Sequence, residues 1–476
     1  MIVLQRVMRA VLFVGYVSSY CLAQTPTLVQ HISSGRDNTG GYSSPTYRFF
    51  LPNPTLSGNC LVLRFEHNST LTTSSVKTDK GDTFSSGPSI NSGGHATESY
   101  YVAASAGSQI ISVVTAGSVG GSDMDDAGGD LSEFYNTSCV VDGSGSSSSR
   151  SITLSTTTAN DLIWESGDDA STLTPTITSI TVGSGYTMLH GNTSLGTFAQ
   201  YQSGASTGSQ TVSFQTSDSD SWQSVAIAFK SALTGTAPPS SGIRIVSMYA
   251  EIFGNNPHTM YVPCSGNLLI GTWSGVSVTI SAVSSSPSGT WSPGASYVRP
   301  SGEVTQIFYG QGMKCNSALT MTPTYSGVGS GGLNFMVMLD VAGANASAHD
   351  VDATNTGDQT SGSTLSTDTI TPTTANGLIL DATSWWGCTD ISASPGIYAG
   401  IATNSANSDV CAPTDTTNST LNEDNGLALY YNPNTATITF TYTNTGSVSQ
   451  WASVASAFKS GGVTVNPPTG LTAVPH

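Results

Sequence analysis

Residues 221–231 read SWQSVAIAFKS, and residues 450–460 read QWASVASAFKS. In the first stretch alternation places Val225, Ile227 and Phe229 on one side and Trp222, Ala226, Ala228 and Lys230 on the other. This is the period-2 pattern of a β-strand packed on at least one face. The second stretch keeps Trp451, Val454, Ala455, Ala457, Phe458 and Lys459 in matching places, with Ser456 where the first has Ile227. Each stretch closes a long Ser/Thr/Gly-rich segment just before a break marked by Pro or Gly. Each is therefore expected to be the last core strand of a domain, and the chain a tandem duplication.

Two further anchors support the duplication. Ser57-Gly58-Asn59 precedes an apolar run as Ser265-Gly266-Asn267 does, 208 residues on, and Thr158-Ala159-Asn160 matches Thr374-Ala375-Asn376, 216 residues on. Trp222 and Trp451 stand 229 apart, so the last step adds 13 residues in the stretch that holds Cys388 and Cys411. That addition reads as a loop stapled by its own bridge. The expected divisions are a leader at 1–23, a first domain at 24–231, a stiff linker at 232–242 (ALTGTAPPSSG), a second domain at 243–460 and a tail at 461–476.

Inside the first copy, strand-sized runs fall at 28–32, 60–67, 100–103, 109–115, 161–165, 198–202 and 211–215. In 60–67, Leu61, Leu63 and Phe65 share one face, and Val62, Arg64 and Glu66 the other. Gly, Ser, Asp and Asn clusters separate the runs at the spacing of a sandwich. With 51 Gly and 9% charged residues the chain is poor in helix formers, while 37% apolar residues in short alternating runs suffice for a thin core. The expected fold class is all-β, with two tandem jelly-roll-like β-sandwich domains after a signal peptide.

The leader carries Arg6 and Arg9, an apolar run from residue 10 to 20, and Cys21-Leu22-Ala23. That is the layout of a secretory signal, and the run is short of the roughly 20 residues a membrane span needs. Ser18 and Tyr20 make a poor lipobox before Cys21. An exported protein is expected, extracellular or on the cell surface, without membrane insertion. Its formal charge is −17, and −19 once the two leader arginines are gone. Nucleic acid is excluded as a partner, because a phosphate-binding face needs clustered Lys and Arg.

Six Cys follow the leader: 60 and 139 in the first half, and 264, 315, 388 and 411 in the second. Even counts in an exported chain imply disulfides, and no CxxC or Cys/His cluster points to zinc. One bridge, Cys60–Cys139, is expected in the first domain. The four Cys of the second allow three pairings, of which Cys264–Cys315 with Cys388–Cys411 is the one expected.

The elements SGN before an apolar strand, KTDKGDTF (77–84), YYVAAS (100–105), LSEFYN (131–136), TTTANDLI (156–163), GSGYT (183–187) and SWQSVAIAFK (221–230) resemble a jelly-roll-type β-sandwich module of secreted bacterial surface and extracellular proteins. The second copy retains fewer of them, lacking KGDT and GSGYT. The resemblance implies a surface or matrix role and brings no catalytic residues with it. The tail at 463–476, VTVNPPTGLTAVPH, resembles the first strand of a fibronectin type III domain. Such a strand without its own domain can add to a sheet edge of another subunit and build a fibre.

Catalytic patterns are sparse. Glu66 and His67 are adjacent on a strand and point to opposite faces, while Glu98, Glu133, Glu165 and Glu251 are scattered. No HxH or HExxH occurs, and Gly143-Ser144-Gly145 lies in linker-like sequence. No enzyme activity and no cofactor are expected. The inorganic candidate is Ca²⁺ at Asp123, Asp125, Asp126 and Asp130, a second crowded set being Asp350, Asp352 and Asp358. For glycan stacking the candidates are Trp385 and Trp386 with Asp390 and Tyr398, and Trp273 and Trp291 could join them. Sequons occur at Asn68, Asn136, Asn192, Asn345 and Asn418. The expected function is a secreted structural protein that self-associates into a fibre or surface matrix. The alternative is a pair of polysaccharide-binding modules, and a jelly-roll glycoside hydrolase or lyase stands third.

Overall fold

The computed structural model describes residues 25–37, 45–117, 127–169, 177–193, 196–253, 258–262, 268–276, 278–286, 288–300, 303–312, 317–325, 334–358, 364–386, 391–394, 397–398, 401–405, 423–444 and 450–461. Short alternating runs of Val, Ile, Leu and Phe between Ser/Thr/Gly turns can satisfy their amides only ladder to ladder. Among the described residues every regular element is a strand.

Ten strands form a central sheet, in the order β21 (Thr290–Val298), β22 (Glu303–Gln311), β19 (Leu268–Val276), β24 (Asn334–Ala342), β17 (Arg244–Phe253), β1 (Thr27–Asp37), β8 (Ala127–Tyr135), β3 (Cys60–Asn68), β6 (His95–Ala103) and β5 (Ser85–Ser92). One face carries an eight-stranded sheet: β20 (Val278–Ser286), β23 (Ser317–Tyr325), β18 (His258–Val262), β13 (Thr187–Asn192), β14 (Thr197–Ala205), β11 (Asp161–Asp169), β16 (Trp222–Ser231) and β9 (Thr137–Ser147). The other face carries a four-stranded sheet, β30 (Ile401–Ser405), β2 (Pro45–Phe50), β7 (Ile110–Ala116) and β4 (Thr72–Thr78). Beside it lies a five-stranded sheet of β25 (Ala344–Asp358), β33 (Gln450–Ser460), β27 (Gly377–Trp386), β31 (Glu423–Asn432) and β29 (Ile397–Tyr398). Two small sheets cover the outside: β10 (Ser151–Thr156), β15 (Gly208–Thr216) and β12 (Ile180–Val182), then β26 (Thr364–Ile370), β32 (Ile438–Asn444) and β28 (Ile391–Ser394).

The duplication is visible in this order. β1, β8, β3, β6 and β5 of the first repeat correspond to β17, β24, β19, β22 and β21 of the second, and the halves meet where β1 and β17 pair in parallel, His31 opposite Ser247. Equivalent strands side by side and parallel are what a two-fold axis along the strand direction produces. Such an axis also exchanges the two faces of the sheet. Accordingly Tyr47, Leu63 and Phe65 of the first repeat share one core cluster with Leu339, Leu380 and Phe458 of the second. The flanking sheets repeat the exchange: β13 pairs with β18, Gly191 opposite Tyr261, and β30 pairs with β2, Ile401 opposite Phe49.

The expected linker falls between β16 and β17, and the sheets on either side of it are shared between repeats rather than closed separately. Side chains lock this seam. Asn53 Nδ2 donates to the Ile245 carbonyl at 2.7 Å, Tyr431 Oη donates to Asn53 Oδ1 at 2.8 Å, and the Ile245 amide donates to Tyr431 Oη at 3.1 Å. The linker is strapped to the first repeat, Thr236 N donating to Asn59 Oδ1 at 2.7 Å. Gly235 makes that approach possible: at φ +85° a Cβ would stand 2.3 Å from Asn59 Oδ1.

The closing strand is buried on both faces. Val225, Ile227 and Phe229 pack with Val62 and Trp164, Ala226 and Ala228 pack with Ile152 and Val212, and Trp222 meets Phe198 and Phe214 edge-on. The anchor turns recur for a conformational reason. Asn160 and Asn376 sit at φ 64° and 60°, the left-handed region that Asn enters at little cost. Each turn is held by an aspartate: Asp350 accepts from Thr373 N at 2.8 Å and pairs with Lys459 at 3.5 Å, as Asp142 accepts from Thr158 N at 2.9 Å and pairs with Lys230 at 3.4 Å. The expected Cys60–Cys139 disulfide is present. Cys264, Cys315, Cys388 and Cys411 lie outside the described residues.

Candidate metal centre

Alternation in β3 turns Val62, Arg64 and Glu66 toward the eight-stranded sheet, into a buried layer. Arg64 is fully buried, so its five N–H donors must find acceptors inside the protein. They find three carboxylates. Nε and Nη2 donate to Asp130 Oδ2 at 3.0 and 2.8 Å, Nη1 donates to Asp168 Oδ1 at 3.2 Å, and Nη1 also donates to Glu66 Oε2. Thr97 Oγ1 adds a bond to Asp168 Oδ1 at 2.8 Å, and Ser166 Oγ donates to Asp130 Oδ2. All these carboxylates are at most 3% exposed. Burial alone would lower Arg64 and raise Asp130. The surrounding opposite charges outweigh it in both cases, lifting Arg64 above its ordinary range through Glu66, Asp130 and Asp168 and holding Asp130 well below its own through His190 and Arg64.

Asp130 uses only Oδ2 for this network. Its Oδ1 faces two imidazoles, His190 Nδ1 at 3.0 Å and His31 Nε2 at 3.8 Å, and neither approach has the direction of a hydrogen bond. His31 Nδ1 lies 2.9 Å from Ser132 Oγ, which also accepts from Trp164 Nε1 at 3.2 Å. That pairing orients the ring and points Nε2 inward. Burial pushes His31 down to about 3, with His190 and Arg64 acting in the same direction and Asp130 opposing them, so the imidazole is neutral at ordinary pH. The two rings lie 5.6 Å apart and 16° from coplanar, and Tyr249 of the second repeat stacks on His190 at 5.7 Å. One ligand atom from each of His31, Asp130 and His190 lies within 4.8 Å of the other two, close enough for the three to face one ion.

Of the residues expected to matter, Asp130 belongs to this centre from inside β8 rather than to an acidic loop. Asp123, Asp125 and Asp126 lie outside the described residues, as do Asp390 and Asn418. A different, partly buried group, Asp169, Asp218 and Asp220, brings three carboxylates within 4.8 Å, although Asp218 already pairs with Arg150 at 2.7 Å. In the second acidic set Asp350 holds its turn, and Asp352 accepts from Ser456 at 2.6 Å. Trp385 and Trp386 lie on β27, where their backbones pair with Trp451 and Gln450, and Tyr398 lies on β29 opposite Ala428. Trp273 is core. Two of the sequon asparagines are buried: Asn192 is 1% exposed with its amide on Tyr249 Oη, and Asn136 is 8% exposed. Asn68 and Asn345 are partly exposed.

The His/Asp centre is not among the expected sites, because His31, Asp130 and His190 come from three separate strands, β1, β8 and β13. One signal was in the sequence. At the register-equivalent positions of the second repeat, His31, Arg64, Asp130, Ser132, Trp164 and Ser166 become Met248, Thr272, Val337, Leu339, Leu380 and Ala382.

Fold and site together define an all-β protein of two interlocked repeats, with a sealed ionic centre where they join. No protein-family model matches the chain, and no curated protein is similar to it.

Proposed function

We propose that this is a secreted structural protein, a subunit of an extracellular fibre or surface matrix that assembles by non-covalent contacts, strand addition by the tail among them. The observation that carries the reading is the continuity of three sheets from one repeat into the other. Such a unit bears load through backbone ladders rather than through a hinge. The dense ionisable cluster is closed to substrate, its members at most 3% exposed, which fits a building block better than a glycan-processing enzyme. A disulfide fits an oxidising compartment.

Strand addition is not expected at the central sheet. Its edge strands β5 and β21 carry Pro88 and Pro293 beside register shifts, two devices that blunt an edge. The acceptor for the tail belongs on a flanking sheet. The test is negative-stain electron microscopy of residues 24–476 beside a chain ending at Gly461. Filaments from the full-length chain alone support the reading. Monodisperse particles from both overturn it, and glycan arrays then test the polysaccharide-binding alternative with Trp386→Ala.

A further inference from the structure

We infer that His31, Asp130 and His190 bind one divalent transition-metal ion, Zn²⁺ by preference, as a structural staple at the seam between the repeats. The inference is independent of the fibre reading.

Three observations carry it. The first is the set of unspent ligand atoms. His31 Nε2 and both nitrogens of His190 make no hydrogen bond of good geometry, and Asp130 Oδ1 has only its ion-pair approach to His190 Nδ1 at 3.0 Å, although these residues are at most 2% exposed. Orphaned polar atoms at that depth cost roughly 1–3 kcal/mol each, and a metal ion satisfies three of them at once. Ligand atoms about 2.0–2.1 Å from a tetrahedral ion stand roughly 3.2–3.5 Å apart. The observed 3.0 and 3.8 Å bracket that value. Two imidazoles and a carboxylate suit Zn²⁺ and its neighbours rather than Ca²⁺, which takes oxygen ligands.

The second is the outer arrangement. Ser132 fixes the His31 ring through Nδ1, and Arg64 and Ser166 hold the far oxygen of Asp130. These are the partners that orient metal ligands. With both imidazoles neutral as ligands, one guanidinium against three buried carboxylates also leaves formal negative charge, which a dication offsets.

The third is an internal control. The second repeat builds the same interlayer space from Met248, Val337, Leu339 and Leu380, all buried in one apolar cluster. The fold therefore does not require a polar centre at this position. Its place is specific too: His31 sits on β1 opposite Ser247 of the second repeat, and His190 sits on β13 next to the β18 pairing and under Tyr249. An ion here ties the central sheet to the eight-stranded sheet where both pass from one repeat to the other.

The test is metal content and spectroscopy on the mature chain, refolded with its disulfides in excess Zn²⁺ or Co²⁺ and then dialysed exhaustively. One equivalent per chain is expected, with Co²⁺ giving the visible bands of a four-coordinate N/O site, one water completing the three side-chain ligands, and no thiolate charge transfer. His31→Gln and His190→Gln each lose the ion at least tenfold, while His349→Gln, a half-buried control outside the centre, retains it. Wild-type protein below a tenth of an equivalent overturns the proposal, as does unchanged metal content in both variants. Should either variant fail to fold, the Co²⁺ spectrum of the wild type decides alone: thiolate bands or a six-coordinate spectrum refute the site.

Discussion

Glu165→Gln should make the protein more stable at high pH and leave it nearly unchanged at low pH. Glu165 lies on β11, facing the small outer sheet, fully buried, with Oε2 accepting from Gln200 Nε2. Gln200 is itself fixed, its Nε2 donating to the Ser213 carbonyl at 3.1 Å and its Oε1 accepting from Gly183 N at 3.0 Å. Among the described residues no cation faces the carboxyl to offset its burial, and burial pushes it from 4.5 up to about 8, with Gln200 and Ser224 only partly opposing. Below pH 4.5 both folded and unfolded chains hold the proton, and the favourable neutral burial is fully present. Between 4.5 and 8 the unfolded chain releases the proton and the folded chain keeps it, so stability falls as pH rises. Each pH unit in that window is worth about 1.4 kcal/mol, which gives about 5 kcal/mol across it. An isosteric amide does not ionise, so the variant escapes the fall. Asp368, raised by burial and by the neighbouring Asp381, and Asp381, raised by burial against its hydrogen bonds, act in the same direction in both proteins and cancel in the difference. The assay is urea denaturation of both proteins from pH 4 to 9. A stability difference that stays constant within about 1 kcal/mol over that range refutes the reasoning.

Arg64→Met should cost about 3–5 kcal/mol in the same assay, because it leaves buried carboxylates without their cation; adding Asp130→Val, the second repeat's residue, should recover part of that loss. Cys60→Ser should cost about 4 kcal/mol, the loop-closure value for a bridge spanning 79 residues. Adding reductant should lower the melting temperature of the wild type by more than it lowers that of the variant, the difference being the share of the Cys60–Cys139 bridge.

Much of the layout was legible from residues alone. The runs at 28–32, 60–67, 100–103, 109–115, 161–165, 198–202 and 211–215 fall on β1, β3, β6, β7, β11, β14 and β15, because alternation and turn residues are local signals. The anchors were legible for the same reason: Gly58 at φ 77°, Asn160 and Asn376 hold backbone shapes few other residues tolerate. Sharing of sheets was not legible. A strand's pattern shows that a face is covered and says nothing about which strand lies beside it. β1 carries no mark that its neighbour is β17, over 200 residues away. The short second core of Trp222, Phe198 and Phe214 was hidden similarly, since both faces of β16 are apolar and alternation cannot count layers.

The polar centre was missed because a lone Arg or Asp in an alternating strand looks like a solvent position, and only a third layer turns it into an interior one. Comparing the repeats separates the two cases. A charge on an outward face has no reason to become Val or Leu in the other copy, whereas Asp130 becomes Val337 and Ser132 becomes Leu339, both buried. Replacing a buried ion cluster with hydrocarbon of similar volume is often neutral or stabilising, so the second repeat holds the cheaper solution. The first repeat keeps the expensive one at the layer where β1 meets β17 and β13 meets β18. Across the two-fold axis a purely apolar interlayer on both sides would accept either repeat in either place. An ionic centre on one side, with His190 under Tyr249 and Asn192 on the same phenol, makes the two halves unlike and fixes which docks against which.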